Sequence, residues 1–312
     1  MSSGYLLVLG TLLLVPLSLC IGAASFEGGT DTLWLLAVSR LPRTAAALLA
    51  GAGLAVAGII MQMLVRNRFV EPATIGTGQA ASLGLVAVTL FAPYAALWVK
   101  MLVAALAALT ATGAFLAGAR NLPNRDPMMV PLAGIVYGGV LGAVAGFIAY
   151  ENDLLQYIEV WVSGEFSGVM LGRYEFLWFA AAATLVAYAF ADRFTIAGLG
   201  EDFSRSFGLS YRQTVAIGLS IVSVITAVTV VSVGMLPFVG IVVPNIVSRL
   251  RGDNLRGSLP FIACLGGFLV LVCDVVGRVI WYPYEVPVGA ILGIIGAAIF
   301  IWMLQGRGIH AT

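Results

Sequence analysis

Few side chains in this sequence could do chemistry, and arginine and acidic residues supply most of them. Arg40 and Arg43 flank Pro42, Arg278 closes the run "CDVVGR", and Asp274 stands four residues before it inside a long apolar stretch. A guanidinium is always charged and its planar fork grips a carboxylate with two hydrogen bonds. Three of them at one end of a bundle suit an acidic docking partner. A carboxylate within an apolar span is a candidate for proton coupling, but its spacing from Arg278 also allows an ion pair on one helical face. Cys20, Cys264 and Cys273 lie in apolar runs without Cys-x-x-Cys or histidine spacing, and the single His310 is in the tail, so no metal centre is encoded. The only lysine, Lys100, follows "AALWV" with no glycine loop, so the chain has no P-loop to cradle ATP phosphates.

The elements that position these residues follow from composition. Of 312 residues 61% are hydrophobic and 10% charged, more apolar surface than a chain can bury by folding on itself in water. This is an integral membrane protein, and its net charge of +1 gives no footprint for nucleic acid. A membrane helix needs about 20 mostly apolar residues. That template predicts an all-α bundle of about ten spans, near 5–22, 45–65, 75–93, 96–118, 129–150, 176–192, 213–233, 236–250, 259–281 and 287–304. No Lys or Arg precedes the first run and no small-x-small cleavage site follows it, so it reads as a retained span rather than a signal peptide.

The charges orient the bundle. With both termini cytoplasmic, Arg66, Arg68, Arg120, Arg125, Arg193, Arg205, Arg212, Arg249, Arg251, Arg256 and Arg307 lie inside. Arg40, Arg43, Lys100, Arg173 and Arg278 lie outside, where acids such as Glu27, Glu165 and Glu285 also collect. That is the bias the positive-inside rule predicts. Gly134, Gly138, Gly142 and Gly146 repeat every four residues along one helix face, and Gly51, Gly58, Gly289, Gly293 and Gly296 add patches, as close helix packing in membranes requires. The stretch 152–175 is amphipathic and predicts an interfacial or re-entrant helix on the outer face.

One polar island interrupts the apolar sequence, "LGEDFSRSFGLSYRQT" at 199–214. Leu199, Phe203 and Phe207 recur every four residues and share a face. Glu201 and Asp202 fall in the first turn and Arg205 in a later one, as the helix dipole favours, and Gly208 ends the helix. Such a short exposed helix rests on lipid headgroups or receives a cytoplasmic partner.

Several motifs together resemble a known family. Leu199-Gly200-Glu201-Asp202, with Arg205 and Gly208 following, resembles the coupling segment of the FecCD/BtuC-like permeases, the membrane subunits of type II ABC importers for iron chelates, haem and cobalamin. "SRLPRTAAALLAGAGLAVAGIIMQMLVRN" (39–67), "EPATIGTGQAASLG" (71–84), "PFVGIVVPNIVSRL" (237–250), and "CDVVGR" with "EVPVG" (273–278, 285–289) are similar to that family's remaining signatures, in its order. Two places depart: Asn67-Arg68-Phe69 replaces the usual Asn-Pro-Leu, and Pro244-Asn245 a frequent Pro-His.

The resemblance implies one transmembrane permease domain over 1–312, with a cytoplasmic coupling region at 198–210, in the bacterial inner membrane. It implies a transport subunit that is no enzyme and binds no cofactor, ATP and Mg being held by two separate P-loop ATPase subunits. Leu199, Gly200, Glu201, Asp202, Phe203, Arg205, Phe207 and Gly208 would meet the ATPase. Arg40, Arg43 and Arg278 would dock a substrate-binding protein, Asn67 and Phe69 would form the cytoplasmic gate, and Asp274 with Arg278 an intramembrane ion pair. A second permease subunit, identical or paralogous, would complete the pathway in the lipid bilayer. The cargo implied is a ferric siderophore, catecholate types above all, with haem or cobalamin as the alternative cargo and a proton-coupled secondary transporter as the alternative mechanism.

Overall fold

The structure, a computed structural model, describes residues 2–21, 30–119, 129–252 and 254–305. Glu27, Arg120, Arg125, Arg307 and His310 lie outside the described residues. Within them the chain folds into helices, with no strand among the described residues: α1 (Ser2–Cys20), α2 (Thr30–Leu35), α3 (Leu41–Val65), α4 (Thr77–Phe91), α5 (Leu97–Ala119), α6 (Met129–Glu151), α7 (Leu155–Ser163), α8 (Leu177–Ala189), α9 (Ala191–Gly198), α10 (Glu201–Ser206), α11 (Tyr211–Val233), α12 (Val239–Arg251), α13 (Leu255–Val279) and α14 (Val288–Gln305). All ten expected spans are occupied by helices.

The spans are unequal, and the inequality has causes. Leu33–Val65, α5, α6, α11 and α13 are each long and apolar enough to cross a membrane. Proline just inside its start, at Pro42, suits α3. Ser210 caps α11 through the Gln213 amide, and Asn254 caps α13 through that of Gly257. The sixth span does not end near 192 as expected: α8 and the following α9 meet at a 65° bend, which carries the chain to Gly198 and the polar island. The helix α12 has 13 residues, about 20 Å of rise, against a hydrocarbon core of about 30 Å. Its N-terminus therefore starts inside the bundle.

The centre of the bundle is α3, which packs on α8, α11, α12 and α13 and is buried along most of its length. Glycine makes two of these contacts backbone to backbone. A Cβ on Gly51 would collide with the Gly266 carbonyl of α13, and one on Gly58 with the Gly240 carbonyl of α12. Small residues let helices approach this closely, and the gain is van der Waals contact that lipid does not replace. The α6 repeat behaves differently along its length. Gly134 and Gly138 press on Thr74 and Gly76, whereas a Cβ on Gly146 would meet nothing within 4 Å.

Overpacking a core costs about 1–3 kcal/mol, and more where only backbone could yield. Gly58→Val is accordingly expected to lower the yield of monodisperse protein in detergent severalfold, while Gly139→Ala, which faces open space, leaves it unchanged. Size-exclusion profiles of the two variants check this.

Candidate functional site

Two constellations of polar side chains are built into the bundle, one at each end of α3. The first surrounds the start of α3, where a π-helical turn (Leu36–Arg40) leads into it. Arg43 donates from Nε and Nη2 to Asp274 Oδ1 at 3.0 and 2.7 Å. Its Nη1 donates to Glu285 Oε2 and Oε1 at 2.8 and 3.0 Å. Arg278 Nη2 donates to Asp274 Oδ2 at 2.6 Å, so one fully buried carboxylate is shared by two guanidiniums. Glu285, on the connection to α14, is 24% exposed and closes the cluster toward the surface.

The remaining donors of Arg278 and Arg40 point at the end of α1. Arg278 Nη1 donates to the carbonyls of Ser18 and Ile21 at 2.9 and 2.7 Å, and Nη2 to Ser18 Oγ at 2.6 Å. Arg40 Nη1 donates to the carbonyls of Leu19 and Cys20 at 2.8 and 3.2 Å. The last carbonyls of a helix have no intrahelical partner and carry its negative pole. Two cations, from the π-helical turn before α3 and from α13, supply what α1 lacks, and this binds α1 into the bundle.

The expectation of three outward forks needs correction in this light. Arg40 and Arg278 are buried and their donors serve α1 and Asp274; only Arg43, at its Glu285 edge, approaches the surface. The spacing argument anticipated the Asp274–Arg278 contact but not Arg43 as a second partner. Both Asp274 oxygens accept from guanidiniums, an arrangement suited to a fixed counter-ion rather than a proton relay.

The second constellation is the connector between α3 and α4, residues 66–76. Arg66 caps α3 in the left-handed region at φ 54°. Asn67 Oδ1 accepts from the Phe69 amide at 2.9 Å, a side-chain turn that fixes the connector. Phe69 is buried, its ring edge-on to Phe300 of α14 at 5.7 Å, and Phe238 stacks near the same ring at 6.3 Å. In this conformation Phe69, of the two expected gate residues, is packed against α14, while Asn67 lines a cavity at the end of α3.

Glu71, which the motif reading passed over, is the centre of this region. It is buried, and Oε1 accepts from the Phe238 amide at 2.9 Å. The amides of Gly240 and Ile241 also favour its anion. It thus satisfies the N-terminal amides of α12, which start inside the bundle beyond the reach of water. Burial pushes the Glu71 carboxyl up to about 7 against the pull of those amides. The readable signal was a single acid in a connector between two spans whose other charges are the basic Arg66 and Arg68.

Between α9 and α11 the polar island forms α10. The single helix expected from Leu199 is broken at Gly200, so Leu199 caps the end of α9, Phe203 lies in α10 and Phe207 caps its end; they are 57%, 57% and 65% exposed. Glu201 and Arg205 pair at 2.7 Å; Gly200, at φ 116°, and Gly208, at φ 71°, turn the chain at either end in a conformation that favours glycine. Gly200 lies against the Arg66 guanidinium. A cavity of about 280 Å³ opens beside α10, lined by Gln62, Arg66, Asn67, Arg68, Gly198, Leu199 and Ser248.

Comparison with known proteins matches residues 6–306 to the FecCD transport family. The petrobactin import system permease protein YclN of Bacillus subtilis is 45% identical over 276 residues, 88% of this chain and 87% of the relative. The ferric-anguibactin transport system permease protein FatD of Vibrio anguillarum is 40% identical over 307 residues, 96% of this chain and 98% of the relative. Among solved structures, a chain described as a metal-chelate type ABC transporter in an inward-facing conformation superposes with a TM-score of 0.82 at 22% identity, covering 98% of this chain and 99% of that one. At that identity the likeness shows the fold.

Two outcomes follow from the geometry. Removing one partner of a buried ion pair costs about 3–5 kcal/mol, so Asp274→Asn is expected to lower the thermal midpoint in detergent strongly, and Glu285→Gln, at the partly exposed edge, much less. Equal shifts would contradict the shared-carboxylate arrangement. For Glu71 the folded-state value of about 7 lies above the ordinary carboxylate value of 4.5. Between those values the folded chain holds a proton that the unfolded chain releases, so this group's contribution to stability falls as pH rises across the window. Thermal unfolding at about pH 5 and about pH 7.5 should show that slope in the wild type and a flatter one in Glu71→Gln.

Proposed function

The chain belongs to the FecCD transport family, and on that premise we propose that it is the permease subunit of an ATP-driven importer of ferric siderophores. It is a transport component of the membrane, and the hydrolysis that drives it belongs to separate P-loop ATPase subunits holding ATP and Mg. The observation that carries this reading is the segment from the end of α9 through α10, which offers Leu199, Phe203 and Phe207 to solvent at the arginine-rich end of the bundle. A chain with no P-loop needs a place to receive an engine, and three apolar side chains exposed beside a cavity supply one. That end faces the cytoplasm of the bacterial inner membrane, by the charge bias, with both termini on the same side.

The relatives named for petrobactin and anguibactin support a siderophore cargo. Two such subunits, identical or paralogous, enclose the pathway, and a substrate-binding protein delivers the chelate at the opposite end. There Arg43 is the one of the three clustered arginines nearest the surface, and a carboxylate on the binding protein reaches it by competing with Glu285. ATP binding closes the ATPases on α10 and shifts the bundle between states open to either side.

Cells expressing the chain with its ATPase and binding protein are expected to accumulate ferric petrobactin in a vanadate-sensitive manner. Phe203→Glu with Phe207→Glu should abolish both uptake and ATPase co-purification while leaving the chain folded. Uptake that resists vanadate but collapses with an uncoupler would instead establish a secondary transporter.

A further inference from the structure

The helix α12 has two backbone defects and the connector a third, and each is mended by a side chain outside the regular helical ladder. Its first amides begin inside the bundle, beside Gly58, seven positions before the end of α3 at Val65. Glu71 of the connector accepts from them. Pro244 stands within α12 and has no N–H, so the carbonyl four residues earlier, on Gly240, loses its helical donor. Gln62 of α3 donates Nε2 to that carbonyl at 3.0 Å. The connector in turn has a carbonyl to satisfy, on Arg68, and Asn245 of α12 donates Nδ2 to it and to the Ile241 carbonyl, both at 2.8 Å.

Gln62, Glu71 and Asn245 are all buried. Parting α12 from the connector would leave amides and carbonyls unpaired in an apolar interior, which is strongly disfavoured. The connector also carries Asn67 and Phe69, and the far end of α12 carries Arg249 and Arg251 beside the arginine-rich surface.

We propose that Gln62, Glu71 and Asn245 are positioning residues that clamp α12, the connector and the end of α3 into one body, which moves as a unit during transport. Asn67 and Phe69 then change place only when α12 does, so a displacement at the ATPase end of α12 is delivered to them without loss. The proposal rests on the importer reading for its motion, while the clamp itself is a property of the isolated chain.

Two measurements test it. In a chain with Cys20, Cys264 and Cys273 replaced by alanine, Arg68→Cys and Ser248→Cys place one thiol on the connector and one on α12, at positions whose native side chains lie 3.2 Å apart. Joined by a short bifunctional thiol reagent and assembled with the ATPases and binding protein in proteoliposomes, the permease is expected to import ferric petrobactin within about twofold of the unjoined protein, since no motion is needed between bodies that move together. Loss of import on joining, reversed by reduction, would overturn the proposal. Absence of ATP-dependent import before joining would count against the importer reading alone. The clamp is then decided on the isolated chain, by the labelling rate of Phe69→Cys with a maleimide. Glu71→Ala combined with Asn245→Ala should raise that rate about tenfold, as a local opening requires, and an unchanged rate would refute the clamp.

Discussion

Two helices come backbone to backbone most closely where neither carries a side chain, and α3 makes two contacts in which both partners are glycine. At Gly51 and Gly266 the contact sets the register of α3 against α13. The helices run antiparallel there: eight positions back from Gly51 is Arg43, and eight positions on from Gly266 is Asp274, and these two are the bonded pair. At Gly58 and Gly240 the second contact sets α12 against α3 and brings its open N-terminus to Glu71. Both polar constellations therefore depend on the absence of a methyl group.

The charge cluster at the start of α3 is balanced in an unusual way. Arg43 and Arg278 share Asp274, Arg43 also reaches Glu285, and donors of Arg40 and Arg278 are directed at the terminal carbonyls of α1. A helix end buried against its neighbours is a cost to the fold, and so is an unpaired guanidinium. Placed together, each relieves the other. The same arrangement explains why Asp274 is a poor candidate for proton transfer: neutralising it would strip two buried cations of their shared counter-ion.

Much of the fold was legible in the sequence because it rests on local quantities. Span lengths, the bias of arginine and the four-residue spacing of Leu199, Phe203 and Phe207 are all properties of short windows. The site was legible only where it too was local. Asp274 and Arg278 are one turn apart, so their pairing could be read, but Arg43 and Glu285 are brought to them by the tertiary register. The roles of Arg40 and Arg278 at α1 were hidden further, because a backbone carbonyl leaves no mark on a sequence. Glu71 was overlooked for the same reason, since its partners are amides.

The glycine repeat of α6 marks the limit of reading packing from period alone. A Cβ placed on Gly134 would stand 2.5 Å from Thr74 O, on Gly138 3.0 Å from Gly76 Cα, on Gly142 3.6 Å from Gln79 Cγ, and on Gly146 more than 4 Å from any atom. The distances grow steadily because α6 diverges from the connector and α4 as it runs on. A four-residue period fixes that these glycines share a face, while the crossing angle decides how many of them are in contact. Near Gly134 and Gly138, α6 lies against the turn at Gly76 that follows Glu71. The close end of the repeat thus borders the body formed by the connector and α12, and the open end lies where α6 is separated from it. The helix contacts of α3 hold parts together, whereas α6 presents a joint at one end and free surface at the other.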